Sequence, residues 1–138
     1  MKKFTIVLIM LIGIANISLA NEVKYDGFSN PESVAEGPDG YIYVSEIGET
    51  DKDGDGKISK IDKKGNITPF ATGLYDPKGI VFYKEKLYVT DRDVIIEIDT
   101  DGTWSVFGST MAFPKTPVFL NDIDVDSGGN FYITDTSN

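Results

Sequence analysis

Beyond residue 20 the apolar positions fall in short runs, without the 3.6-residue spacing of an amphipathic helix. Three of these runs resemble one another: Tyr41-Ile42-Tyr43-Val44-Ser45-Glu46, Lys86-Leu87-Tyr88-Val89-Thr90-Asp91 and Asn130-Phe131-Tyr132-Ile133-Thr134-Asp135. Their central tyrosines stand 45 and 44 residues apart. Each run is β-branched and aromatic, and each follows a break: Pro38-Asp39-Gly40, Tyr83-Lys84-Glu85 or Asp126-Ser127-Gly128-Gly129. Upstream lie Val34-Ala35, Ile80-Val81-Phe82 and Ile123-Asp124-Val125. Downstream, Lys57–Asp62 matches Val94–Asp99, and Ile67–Ala71 matches Trp104–Phe107. Four short strands repeated at this period predict an all-β fold, a β-propeller of four-stranded blades. A sandwich or barrel is the alternative. The boundaries place blade 1 at about 28–71, blade 2 at about 77–107 and an incomplete blade 3 at about 120–138.

The first twenty residues read differently. Lys2 and Lys3 precede an apolar run from Phe4 to Ala15, and Ser18 and Ala20 supply a small-x-small end. This is the pattern of a secretory signal peptide cut after Ala20; the run is short for a membrane span. The expected location is the periplasm or the medium, with no stable membrane anchor after cleavage. About 118 residues then remain. At about 44 residues per blade that is roughly two and a half blades, where propellers close with about four to eight. The chain is therefore expected to be the first part of a larger propeller.

The chain has no His and no Cys, and 13 Lys+Arg against 22 Asp+Glu. Triads, thiolates, disulfides and His-based zinc are excluded. The charge of −9 argues against a nucleic-acid partner. What remains is chemistry based on oxygen ligands, amides, hydroxyls and lysines.

Strand spacing locates two insertions. Asp62 to Asp99 spans 37 residues where the tyrosines span 45, so the first unit carries eight extra residues between its second and third strands. The second insertion, Gly108 to Leu120, joins blades 2 and 3. In a propeller both would open on one face, where sites are usually built. The first insertion contains Asp51-Lys52-Asp53-Gly54-Asp55-Gly56-Lys57-Ile58-Ser59-Lys60-Ile61-Asp62. Alternate carboxylates in a tight loop suit Ca²⁺, which takes about six to eight hard oxygens. Asp51, Asp53, Asp55 and Asp62 are the expected carboxylates, Lys57 would offer its carbonyl, and Ser59 could hold a water. The alternative is a solvated acidic turn.

Aligned at the head of the first strand, the units read Asn30-Pro31-Glu32-Ser33, Asp76-Pro77-Lys78-Gly79 and Leu120-Asn121-Asp122. Glu32, Lys78 and Asn121 are equivalent and should point toward the channel mouth. There they either line a wet channel or bind: Glu32 and Asn121 as oxygen ligands of a divalent cation, Lys78 toward an anionic or carbonyl group.

With Gly73-Leu74-Tyr75-Asp76-Pro77-Lys78-Gly79, Phe119-Leu120-Asn121-Asp122-Ile123 and Tyr132-Ile133-Thr134-Asp135, the chain resembles the family of senescence marker protein (regucalcin), gluconolactonases and luciferin-regenerating enzyme, and beyond it the NHL-type propellers. The resemblance covers most of residues 25–138. It implies six blades and a divalent cation in the channel (Ca²⁺, Zn²⁺ or Mn²⁺), held by Glu32 and Asn121 and by an Asp that would fall beyond Asn138 and act as general base. It implies metal-dependent hydrolysis of a lactone or ester by the full-length protein, with this segment alone inactive. The family's E-G-P-x-W reads Glu32-Ser33-Val34-Ala35-Glu36 here. The other reading is a non-catalytic propeller that binds a small ligand, lactone- or sugar-acid-like, or a protein.

Overall fold

The computed structural model describes residues 22–49 and 52–137. The expected signal segment, residues 1–20, and Asp51 lie outside the described residues.

Among the described residues ten strands form, each where a β-branched or aromatic run is bounded by a turn. Those of the first sheet are β1 (Pro31–Glu36), β2 (Ile42–Glu46), β3 (Gly56–Ile61) and β4 (Ile67–Leu74). The second sheet holds β5 (Pro77–Tyr83), β6 (Lys86–Asp91), β7 (Val94–Ile98) and β8 (Trp104–Gly108). A third pairs β9 (Leu120–Val125) with β10 (Phe131–Asp135). The chain runs through each sheet in sequence order, every neighbour antiparallel. This is a partial β-propeller, as the repeat predicts. One 3₁₀ turn, Thr110–Ala112, interrupts the long connection between the second and third sheets.

Two turns, β3–β4 and β9–β10, share one device. Asp62 accepts from the backbone N–H of Lys64 and Asn66, and the Asn66 amide closes onto its other oxygen at 2.8 Å. Asp126 does the same with Gly128 and Asn130. Glycine follows at the left-handed position, Gly65 (φ 87°) and Gly129 (φ 86°), which a side chain disfavours.

The apolar core lies between sheets rather than inside one. Tyr43, Ile58, Ala71 and Leu74 of the first sheet pack on Ile80, Leu87, Val89, Ile96 and Ile98 of the second. A second cluster joins Tyr88 and Ile95 to Leu120 and Ile123 of the third. Edge-on ring contacts of Tyr43 with Phe70 (5.0 Å) and Phe82 (4.9 Å) add directional packing. The first strands β1, β5 and β9 stand side by side, with β5 in the middle. Their approach is close: a Cβ at Gly79 would lie 2.7 Å from both the Asn121 carbonyl oxygen and the Asp122 Cα.

Candidate ligand cleft at the blade mouths

Each inner strand carries a bulge at the same place. Pro31 pairs Glu46 and Val34 pairs Val44, so Glu32 and Ser33 face the single residue Ser45. Lys78 and Gly79 face Thr90 in the same way, and Asn121 and Asp122 face Thr134. Two residues against one bend the strand and re-aim its side chains. The three positions singled out by alignment are therefore the first bulge residue of each blade.

The hydroxyl opposite each bulge fixes it. Ser45 Oγ accepts from Ser33 N–H at 3.0 Å, and Thr134 Oγ1 accepts from Asp122 N–H at 2.9 Å. The same hydroxyls tie one blade to the next. Ser45 donates to the Lys78 carbonyl and Thr90 to the Asn121 carbonyl, both at 2.6 Å.

The acid that follows each hydroxyl clamps the loop entering its own blade. Asp91 accepts from Tyr75 N–H (3.0 Å) and Asp76 N–H (2.6 Å). Asp135 accepts from Val118 N–H and Phe119 N–H. Glu46 accepts from Ser29 N–H at 2.6 Å and from the Ser59 hydroxyl, with Lys57 Nζ at 3.3 Å. Burial pushes the Asp91 carboxyl up, and the two amides pull it back. The thrice-repeated Ser/Thr-acid pair is thus structural. Its signal was present in the repeat itself.

These clamps bring the loops before β1, β5 and β9 to one face, with the β2–β3 and β6–β7 connections. Between them lies a cleft of about 740 Å³, lined among others by Pro31, Ile47, Lys78, Arg92 and Phe119. That is within the range of small-molecule sites. Lys78 is only 5% exposed, and its ammonium lies 4.5 Å from the centre of the Phe119 ring. Glu32 is exposed and Asn121 partly buried. Neither lines the cleft.

Arg92, which the alignment did not pick out, ties the face together. It is a left-handed residue (φ 57°) in the β6–β7 turn. Its guanidinium donates to Asp53 at 2.6 Å and to Asp76 at 3.1 Å, beside the Tyr75 ring. The guanidinium holds the Asp53 carboxyl below the usual carboxylate range.

The acidic segment is not one loop. β3 begins at Gly56, so Lys57 and Ser59 lie along a strand and their side chains go to Glu46. Asp62 follows the far end of β3, some six residues from the hairpin head at about 3.3 Å each, and serves the β3–β4 turn. The structure thus does not bring Asp62 to Asp53 and Asp55, because strand pairing extends what a compact loop would fold back. Asp55 remains at the head. Its Oδ2 accepts from Glu49 N–H at 3.0 Å, while its Oδ1 is, among the described residues, the side-chain polar atom sealed from solvent without a partner. The Lys52 ammonium stands 3.5 Å from Oδ2, and among the described residues no group of three acidic side chains gathers at this head.

Glu32 and Asn121 sit on β1 and β9, with Lys78 at the same bulge position of β5 between them.

Fold and cleft together define the chain as part of a propeller with a ligand-sized opening on its loop face. A crystal structure described as that of a candidate gluconolactonase is similar: TM-score 0.59, 18% identity, with 76% of this chain and 41% of that chain covered. This chain thus spans about two-fifths of that neighbour's length. No family profile and no curated protein matches the sequence.

Proposed function

We propose that this chain builds the ligand-binding face of a secreted or periplasmic gluconolactonase-like propeller, and that its cleft receives a small lactone- or sugar-acid-like molecule. The observation that carries the reading is the bulge repeated on β1, β5 and β9 beside a cleft of ligand size. A bulge kept in every blade re-aims a polar side chain at the same level of the channel, and in blade 2 that side chain is Lys78 in the cleft wall. The Lys-Lys start and apolar run of the first twenty residues support export. The candidate gluconolactonase neighbour supports the ligand class.

Calcium is proposed at the hairpin head, with Asp55 as the main ligand and Asp53 joining it on release from Arg92. The orphaned Asp55 oxygen supports this. The ion would brace the β2–β3 connection against the cleft.

The test of the cleft is chemical-shift mapping with an aldonic acid and its polyol. Shifts confined to Pro31, Ile47, Lys78, Arg92 and Phe119 are expected. Shifts scattered elsewhere, or none, would overturn the assignment.

A further inference from the structure

We propose that a second cavity, at the rim between the first two blades, binds a small quaternary ammonium cation, with the Trp104 ring and the Asp93 carboxylate as its contacts. The cavity measures about 380 Å³, within the range of small-molecule sites. With the loop-face cleft it shares one wall residue, Arg92. Blades radiate from a central channel, so neighbouring sheets diverge toward their outer strands. Ile96 pairs with Val106 and Ile98 with Trp104, which puts these side chains on one face of the second sheet. That face is the one packed on the first blade. Trp104 spans the gap: its indole N–H donates to the Thr72 carbonyl of β4 at 3.0 Å. Val94, Ile96 and Val106 supply aliphatic walls, and Tyr75 a second ring.

The charge at this rim is negative. The walls hold Arg92 with Asp91 and Asp93. Arg92 is already bound to Asp53 at 2.6 Å and to Asp76 at 3.1 Å. Asp91 is held by the backbone amides of Tyr75 and Asp76. Asp93 has no ion pair among the described residues. Four carboxylates thus stand against one guanidinium, and the field favours a cation over an anion.

The rings narrow the class of cation. Tyr75 is 45% and Trp104 39% exposed, so both can be reached. Arg92 lies 5.0 Å from the Tyr75 ring centre, whereas among the described residues no cation lies over Trp104. A metal ion needs about six oxygens, and among the described residues no three acidic side chains gather to hold one. A primary ammonium would give up water for aliphatic walls that accept no hydrogen bond. A quaternary ammonium is sheathed in methyl groups, needs no acceptor, and is held by an indole face and a nearby carboxylate.

Trp104 is the single tryptophan of the chain, so its emission reads this cavity directly. The full chain is titrated with choline and with the uncharged alcohol that has carbon in place of its nitrogen, at ionic strength held constant with sodium chloride. Choline is expected to change the emission saturably, with an affinity about tenfold or more above that of the alcohol. Asp93→Asn, a change at an exposed position, should weaken choline binding several-fold and leave that of the alcohol unchanged. Phosphocholine should bind more weakly than choline, because its phosphate meets the same acids. No saturable response to choline would overturn the site. Equal affinity for choline and the alcohol would overturn its preference for a cation. Full choline affinity in Asp93→Asn would overturn Asp93 as the counter-ion, and tighter binding of phosphocholine would overturn the charge assignment.

Discussion

The Ser45 hydroxyl donates a 2.6 Å hydrogen bond to the backbone carbonyl of Lys78, across the boundary between two blades. The bond joins the fold to the site: it holds the bulge that aims Lys78, and the oxygen it satisfies belongs to Lys78 itself. Thr90 repeats it onto Asn121. Ser45→Ala would leave the Lys78 carbonyl and the Ser33 N–H without their partner. The expected loss is about 1–3 kcal/mol. Ser45→Thr should cost little, since threonine fills the equivalent place in blade 2. Thermal denaturation of the two variants checks this, and equal melting temperatures would show that the stitch carries no stability.

Gly79 marks where β5 meets β9. An added methyl would meet backbone atoms, the Asn121 oxygen and Asp122 Cα at 2.7 Å, and backbone cannot rotate away as a side chain can. Gly79→Ala should destabilise by at least the roughly 1–3 kcal/mol of overpacking. Gly54→Ala should avoid that clash, because nothing lies within 4 Å of its added Cβ; its φ of 81° leaves backbone strain alone. The difference in urea midpoint measures the blade-to-blade contact.

The Asn130 amide, with the backbone amides of Asn130 and Gly128 and the Tyr132 hydroxyl, holds the Asp126 carboxyl at about 2. A depressed folded value stabilises above the unfolded value, near 3.9, and that contribution fades as pH falls through the folded one. The turn should therefore loosen between about pH 4 and pH 2. In Asn130→Ala the Asp126 titration, followed by carboxyl NMR, should move upward toward the ordinary range.

Calcium at the hairpin head predicts a melting temperature that rises with calcium. At about a hundred times Kd the gain is about 2.7 kcal/mol. Asp55→Asn should abolish the response. Asp62→Asn should leave it intact, since Asp62 serves the β3–β4 turn. A response that follows Asp62 instead would restore the twelve-residue loop as the ligand set.

Much of this was legible from residue order alone. The strands, their grouping by four and the equivalence of Glu32, Lys78 and Asn121 follow from a repeat in which alternation and turns are local properties. Strand β4 runs on to Leu74, three residues past the expected Ala71, because pairing with β3 continues through Gly56. What residue order could not decide is which charges meet. Asp53 finds Arg92 across 39 residues, a pairing of loops from two blades. Asp62 leaves the acidic cluster because hydrogen bonding draws β3 straight. Among the described residues Lys78 has no acid within ion-pair distance, and it is buried at a bulge beside the Phe119 ring. Local patterns set strands and turns because the interactions that form them span a few residues. Charge balance in a cleft is a sum over loops distant in sequence, and only the stacking of blades brings them together.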